Sequence, residues 1–123
     1  MNTRVSRREL ALDLCLRSAC HIKMATVCSD ARGIFAWGWN SSGRGGLGQH
    51  AEEHAIGRAN RNRLHGCVVT VAGFRYRSKG QISYVLSCPC KERCWPLLKR
   101  VGVKTIEFLH PDGHWTFYRL QNS

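Results

Sequence analysis

His50, Glu52, Cys90 and Cys94 are the residues whose types and spacing can do chemistry together. His50-Ala51-Glu52 opens one helix-prone run, and Pro89-Cys90, with Cys94 behind it, opens another further along the chain. One imidazole and two thiolates make a three-ligand zinc site whose fourth position stays open, the arrangement of catalytic rather than closed structural zinc. A metal held this way makes water acidic enough to attack near neutral pH. Glu52, two residues beyond His50, is placed to collect the water proton and hand it to the reacting molecule. Cys90 and Cys94 enclose Lys91, Glu92 and Arg93. Positions i+3 and i+4 of a helix share one face, so this spacing still aims two sulfurs at one metal. Cys88 remains an alternative to Cys90 in the ligand set.

Two other chemistries use the same residues. His50-Ala51-Glu52-Glu53-His54 satisfies H-x-x-E-H, the pattern of inverted zinc metallopeptidases. That reading leaves both cysteines without a role, and Glu92, Glu107 and Asp112 are poor candidates for the further acidic ligand on a long helix. A closed four-ligand zinc module that binds nucleic acid would recruit Cys88, but leaves Glu52 and Asn40 unexplained.

These residues need elements to position them. The chain reads first as a helix from Ser6 to about Ala19, with Leu12, Cys15, Leu16 and Ala19 on one face and a Ser6/Glu9 capping box. Ile22–Cys28 and Ile34–Trp39 then form a hairpin. The loop from Ser41 to Gln49, rich in Gly and Ser, delivers the chain to a helix from His50 to about Arg61. Cys67–Tyr76 reads as a strand and Ile82–Ser87 as a further extended run, and Pro89 suits the entry of a helix through Trp95, Leu97 and Leu98, with an irregular first turn at Pro96, that stops before Gly102. Lys104–Leu109 and Trp115–Leu120 are strands joined through Pro111-Asp112-Gly113, a turn short enough to force them antiparallel.

With that order in place, His50-Ala51-Glu52 followed by Pro89-Cys90 and Cys94 resembles the zinc deaminase signature of the cytidine deaminase superfamily. Trp37-Gly38-Trp39-Asn40 is similar to that family's G-x-N segment, and Leu86 to Cys94 with Val101-Gly102-Val103-Lys104 to its cysteine helix and following strand. The resemblance covers most of the chain and departs in one place, since the family usually spaces its cysteines C-x-x-C. It implies a single domain over residues 1–123 with a three-layer α/β/α fold on one mixed five-stranded sheet ending in an antiparallel hairpin. It further implies Zn2+ on His50, Cys90 and Cys94, Glu52 as the proton carrier, and hydrolytic deamination. Asn40 inherits a contact to the sugar or base; Trp39, Ala51, Ser87 and Arg44 complete the expected substrate-binding set.

Cytosine is favoured over adenine, because the cysteine region resembles the cytidine and deoxycytidylate branch and the final hairpin resembles nucleoside-type deaminases. A chain of 123 residues leaves little loop to clamp a strand, which favours a cytidine or deoxycytidine nucleotide as substrate. The net charge of +11 favours phosphate ligands in general, so single-stranded DNA or RNA stays as the alternative, with Arg44, Arg75, Arg77 and Lys79 near the mouth of the site. Small free-nucleotide deaminases often complete their sites across subunits, so a homo-oligomer is an expected assembly. No apolar run spans a bilayer, and Glu9, Asp13 and Arg17 interrupt the apolar stretch after the basic start, so a soluble, cytoplasmic chain with no membrane partner is expected. The seven cysteines are read as thiols or ligands rather than disulfides, with Cys15, Cys20, Cys28 and Cys67 given no chemistry.

Overall fold

The computed structural model describes residues 6–42 and 48–120. Its order is α1 (Arg7–Leu14), β1 (Ile22–Asp30), β2 (Gly33–Trp39), α2 (Ala51–Arg58), α3 (Arg61–Leu64), β3 (Val68–Tyr76), β4 (Ile82–Tyr84), α4 (Cys94–Arg100), β5 (Thr105–Leu109) and β6 (Trp115–Arg119). The sheet runs β2-β1-β3-β5-β6, with β3 and β5 parallel and the other pairs antiparallel. It has six strands rather than the five expected. β5 pairs only with Val68–Val71, and the rest of that edge of β3 is taken by β4 through Phe74–Tyr76. Nine residues of β3 offer more edge than a five-residue neighbour can cover.

The three layers follow from strand periodicity, since alternate side chains of β1 point to opposite faces. Ala25 and Val27 pack with Ala11, Leu14 and Cys15 under α1, whereas Cys28 packs with Ala36, Ala55 and Ile56 under α2. Each Val, Leu or Ile removed from water in these clusters contributes about 1.5–3 kcal/mol. The final hairpin is antiparallel as expected, turning at Gly113 with φ +93°. No helix among the described residues is long and apolar enough to cross a membrane.

The first helix is shorter than its sequence suggested and turns a different face inward. It ends at Leu14, continues as a 3-10 turn over Cys15–Arg17, and buries Ala11, Leu14 and Cys15, while Leu16 is 60% exposed. Ser6 accepts from the Glu9 amide at 3.4 Å. α1 is locked to the sheet by a buried carboxylate. Glu107 Oε1 accepts from Arg7 Nε at 2.6 Å and Thr70 Oγ1 at 2.7 Å, and Oε2 accepts from Arg8 Nε at 3.0 Å. Burial pushes the Glu107 carboxyl up, but the bonds from Arg7, Thr70 and Arg8 more than offset this and hold it below the ordinary glutamate value.

α2 lies on β2 at Gly38, where an added Cβ would stand 2.5 Å from Ala55 N and 2.8 Å from His54 Cβ. Only a residue without a side chain permits that approach. Gly38→Ala therefore forces α2 away from the sheet and is expected to cost about 1–3 kcal/mol in urea unfolding.

The Glu107 lock sets a second expectation. Its stabilisation is complete above the unfolded glutamate value near pH 4.3 and is lost as pH falls through the lower folded value. The difference in unfolding free energy between wild type and Glu107→Gln should hence be largest near pH 6 and shrink toward pH 3. A constant difference across that range would show that the charge does not hold α1.

Candidate metal centre

His50 reaches its position through two constraints. Ser41 and Gln49 bridge across the base of the glycine-rich loop, with N–H···O distances of 3.0 and 2.9 Å. His50 then serves as N-cap of α2 with extended backbone, and Glu53 Oε1 accepts from its amide at 2.9 Å. α2 begins at Ala51 and stops at Arg58, after which Asn60 caps the short α3. The helix expected from His50 to about Arg61 thus ends three residues early, and a separate short helix begins at Arg61.

The cysteine segment also differs from its expected form. α4 begins at Cys94 rather than at the Pro89 entry, and Cys90–Arg93 form a turn. The Trp95 amide donates to Cys90 O at 2.8 Å and the Cys94 amide to Cys90 Sγ at 3.3 Å. The sulfurs converge through this wide turn, which absorbs the additional residue, and not by sharing a helix face. His50 Nδ1 lies 3.1 Å from Cys94 Sγ and 3.5 Å from Cys90 Sγ. The ligand atoms of His50, Cys90 and Cys94 all fall within 4.8 Å of one another, forming the one such group among the described residues. Cys88 is exposed and outside it, and all seven cysteines are free thiols.

Imidazole plus two thiols is the donor set of an open zinc site, and the electrostatics fit a cation. Burial pushes the Cys94 thiol far up, and the charges of Glu52 and Cys90 push the same way. A divalent ion removes that penalty by pairing with the thiolates. His50, Cys90 and Cys94 are placed to hold Zn2+.

Glu52 is 5% exposed, on the α2 turn facing β1. Burial raises its carboxyl, opposed by its own backbone and by the nearby Cys94 thiol and Thr26 hydroxyl. Thr26 Oγ1 itself is buried and makes no hydrogen bond among the described residues. The sequence offered one sign of Thr26, a hydroxyl amid the apolar residues of β1, but nothing that tied it to Glu52.

Each expected substrate-contact residue has its own local partners. Asn40 Oδ1 accepts from Ser18 Oγ at 2.6 Å and from the Met24 amide at 2.9 Å, and Nδ2 donates to Ile22 O at 2.9 Å. It ties the end of β2 to the start of β1, leaving one amide hydrogen without a partner among the described residues. Trp39 meets His54 edge to face at 4.8 Å and donates its amide to His54 Nδ1 at 3.1 Å. His54 thereby covers the free edge of β2 and is not in the metal group, which removes the ligand that H-x-x-E-H would require. Ala51 is buried at the start of α2. Ser87 is buried, with its hydroxyl on Val85 O and its amide on Leu109 O, both at 2.9 Å. Arg44 lies outside the described residues.

Zinc stoichiometry tests the ligand set. His50→Ala, Cys90→Ala and Cys94→Ala should each lose tightly held zinc by metal analysis after dialysis, whereas Cys88→Ala should retain the wild-type content. Retention by Cys90→Ala together with loss by Cys88→Ala would move the ligand to Cys88.

A search of the curated proteins finds no match. The family model of the cytidine and deoxycytidylate deaminase zinc-binding region matches residues 2–110, which include β1, β2, both ligand segments and β5. The chain belongs to the cytidine and deoxycytidylate deaminase zinc-binding family.

Proposed function

We propose that the protein hydrolyses the exocyclic amine of cytosine, yielding uracil, in cytidine or deoxycytidine as the nucleoside or monophosphate. The observation that carries this reading is the buried Glu52 carboxyl beside the His50, Cys90 and Cys94 ligand atoms. Bound there, zinc would supply the Lewis acidity that makes water nucleophilic near neutral pH. Glu52 takes a proton from the attacking water and delivers it to N3 as C4 becomes tetrahedral. It then carries the second proton to the amine as the C4–N bond breaks, so that water is consumed and ammonia and a C4 carbonyl result. Burial suits that work, because raised proton affinity moves a carboxyl toward the role of a proton carrier.

The substrate contacts are assigned to the residues that the family resemblance names. Asn40 offers its remaining amide hydrogen to the sugar or base. Ala51 opens α2, where a backbone amide has no intrahelical acceptor. Trp39, Ser87 and Arg44 complete the set, with Arg44 assigned to phosphate.

A second reading, the same chemistry on single-stranded DNA or RNA, draws on one observation. Arg58 lies over the rings of Trp37 and Trp39 at 5.7 Å, Arg17 over Trp39 at 5.6 Å, and Trp37 is 39% exposed on the edge strand. Stacked arginine and tryptophan at a surface suit bases and phosphates together.

Uracil and ammonia formation by zinc-loaded protein on cytidine, dCMP and a cytosine-containing oligonucleotide separates these readings. Turnover of the monomers is expected, with Glu52→Ala slower by about 10²- to 10⁴-fold at unchanged zinc content. Turnover of the oligonucleotide alone would favour the second reading, and turnover of none would end the cytosine assignment.

A further inference from the structure

The two halves of the metal centre come from segments that are joined weakly elsewhere. His50 precedes α2, and Cys90 and Cys94 lead into α4, which runs beside α2 on the same face of the sheet. Between α2, α3 and α4 lies an open groove of about 600 Å³, with Ile56, Gly57, Leu64 and Leu97 along it. Side chains from the two helices therefore do not interdigitate there to set the spacing of the ligands. Metal geometry tolerates errors of only a few tenths of an ångström, so something else must align the segments.

Arg93 reaches across at that point. It stands immediately before Cys94, as the N-cap of α4. Its guanidinium holds Glu53 with two parallel bonds, Nε to Oε2 at 3.1 Å and Nη2 to Oε1. Nη2 also donates to Gly48 O at 3.0 Å. Glu53 Oε1 in turn accepts from the His50 amide at 2.9 Å. One guanidinium thus contacts the segment entering His50 and the carboxylate that caps His50, while its own backbone adjoins a sulfur ligand. The planar fork of arginine fixes direction as well as distance, which a lysine cannot do.

We propose that Arg93 is a positioning residue for the metal site, clipping the cysteine turn to the histidine segment through Glu53 and Gly48. The third residue between the cysteines supplies it. The Trp95–Cys90 bond closes the wider turn, and the residue gained places a guanidinium beside Cys94 that faces the start of α2. The inference rests on His50, Cys90 and Cys94 as the zinc ligands and is independent of the substrate.

An exposed ion pair contributes little to folding, so a clip and an ordinary surface pair differ in what their loss changes. The pair is Arg93 at 46% and Glu53 at 25% side-chain exposure, open enough that its removal should barely alter the metal-free fold. Competition with a chromophoric chelator gives the zinc affinity of the full chain and its variants, and cobalt substitution gives the ligand-field spectrum. Arg93→Ala and Glu53→Gln are each expected to weaken zinc by about tenfold or more and to shift the cobalt d–d bands. Glutamine still caps the His50 amide, so Glu53→Gln removes the charge pair alone. Arg93→Lys should recover part of the affinity, the double variant should be no worse than Arg93→Ala, and metal-free unfolding midpoints should stay unchanged. Wild-type zinc affinity in both variants would overturn the clip, as would a loss matched by equal destabilisation of the metal-free protein. Absence of zinc binding by the wild type would instead overturn the ligand assignment beneath it.

Discussion

The crowding of anionic groups at the start of α2 is the constraint on which the rest of the structure depends. The sulfurs of Cys90 and Cys94 share a space a few ångströms across with His50, and the buried Glu52 carboxyl adjoins Cys94. Charges removed from water repel strongly at such range, because the low interior dielectric no longer screens them. With protons on the thiols the cluster is tolerable but inert. A divalent cation held by the thiolates would relieve that repulsion. The fold has to place these groups together and keep them from relaxing apart, at a cost to stability that the apolar clusters on both sides of the sheet offset.

The placement begins with the sheet and works outward. β1 is central enough to carry Thr26 and Cys28 beneath α2, and β2 brings Gly38 to a position where α2 touches the backbone. Asn40 then ties the end of β2 to the start of β1, and the Ser41–Gln49 bridge closes the glycine-rich loop. His50 is therefore presented from a pinned base even though a glycine-rich loop precedes it. On the other side, β5 accepts the Ser87 amide at Leu109 O, which anchors the run leading to Cys90.

Much of this was legible in the sequence, and the limits have physical causes. The metal ligands could be read because metal chemistry restricts residue type and order severely, and the last hairpin because Pro111-Asp112-Gly113 permits little else. Local patterns failed where tertiary contacts decided the outcome. Leu12, Cys15, Leu16 and Ala19 look like a helix face, yet the chain leaves α-geometry after Leu14, so Leu16 points to solvent. The sixth strand was missed as a sheet member because its place depends on how far β5 runs along β3. Cys90 was read as helical from its spacing, whereas the bond from the Trp95 amide to Cys90 O is visible only in three dimensions. Glu53 and Arg93 passed unnoticed for the same reason: forty positions separate them, and only the fold pairs them.

Two buried glutamates show how the same residue type is put to opposite uses. Glu107, under α1, is met by Arg7, Arg8 and Thr70, so its carboxylate keeps its charge and acts as a fastening. Glu52, on α2, meets no arginine among the described residues, and its neighbours are the Cys94 thiol and a Thr26 hydroxyl that makes no hydrogen bond there. Burial dominates there and raises its proton affinity. A carboxylate with three strong donors is a poor proton carrier, because releasing its charge forfeits those bonds. One with weak partners exchanges a proton at little cost. Among the described residues, arginines from α1 reach Glu107 and none reaches Glu52, so one buried carboxylate is fixed by its donors and the other is governed by burial.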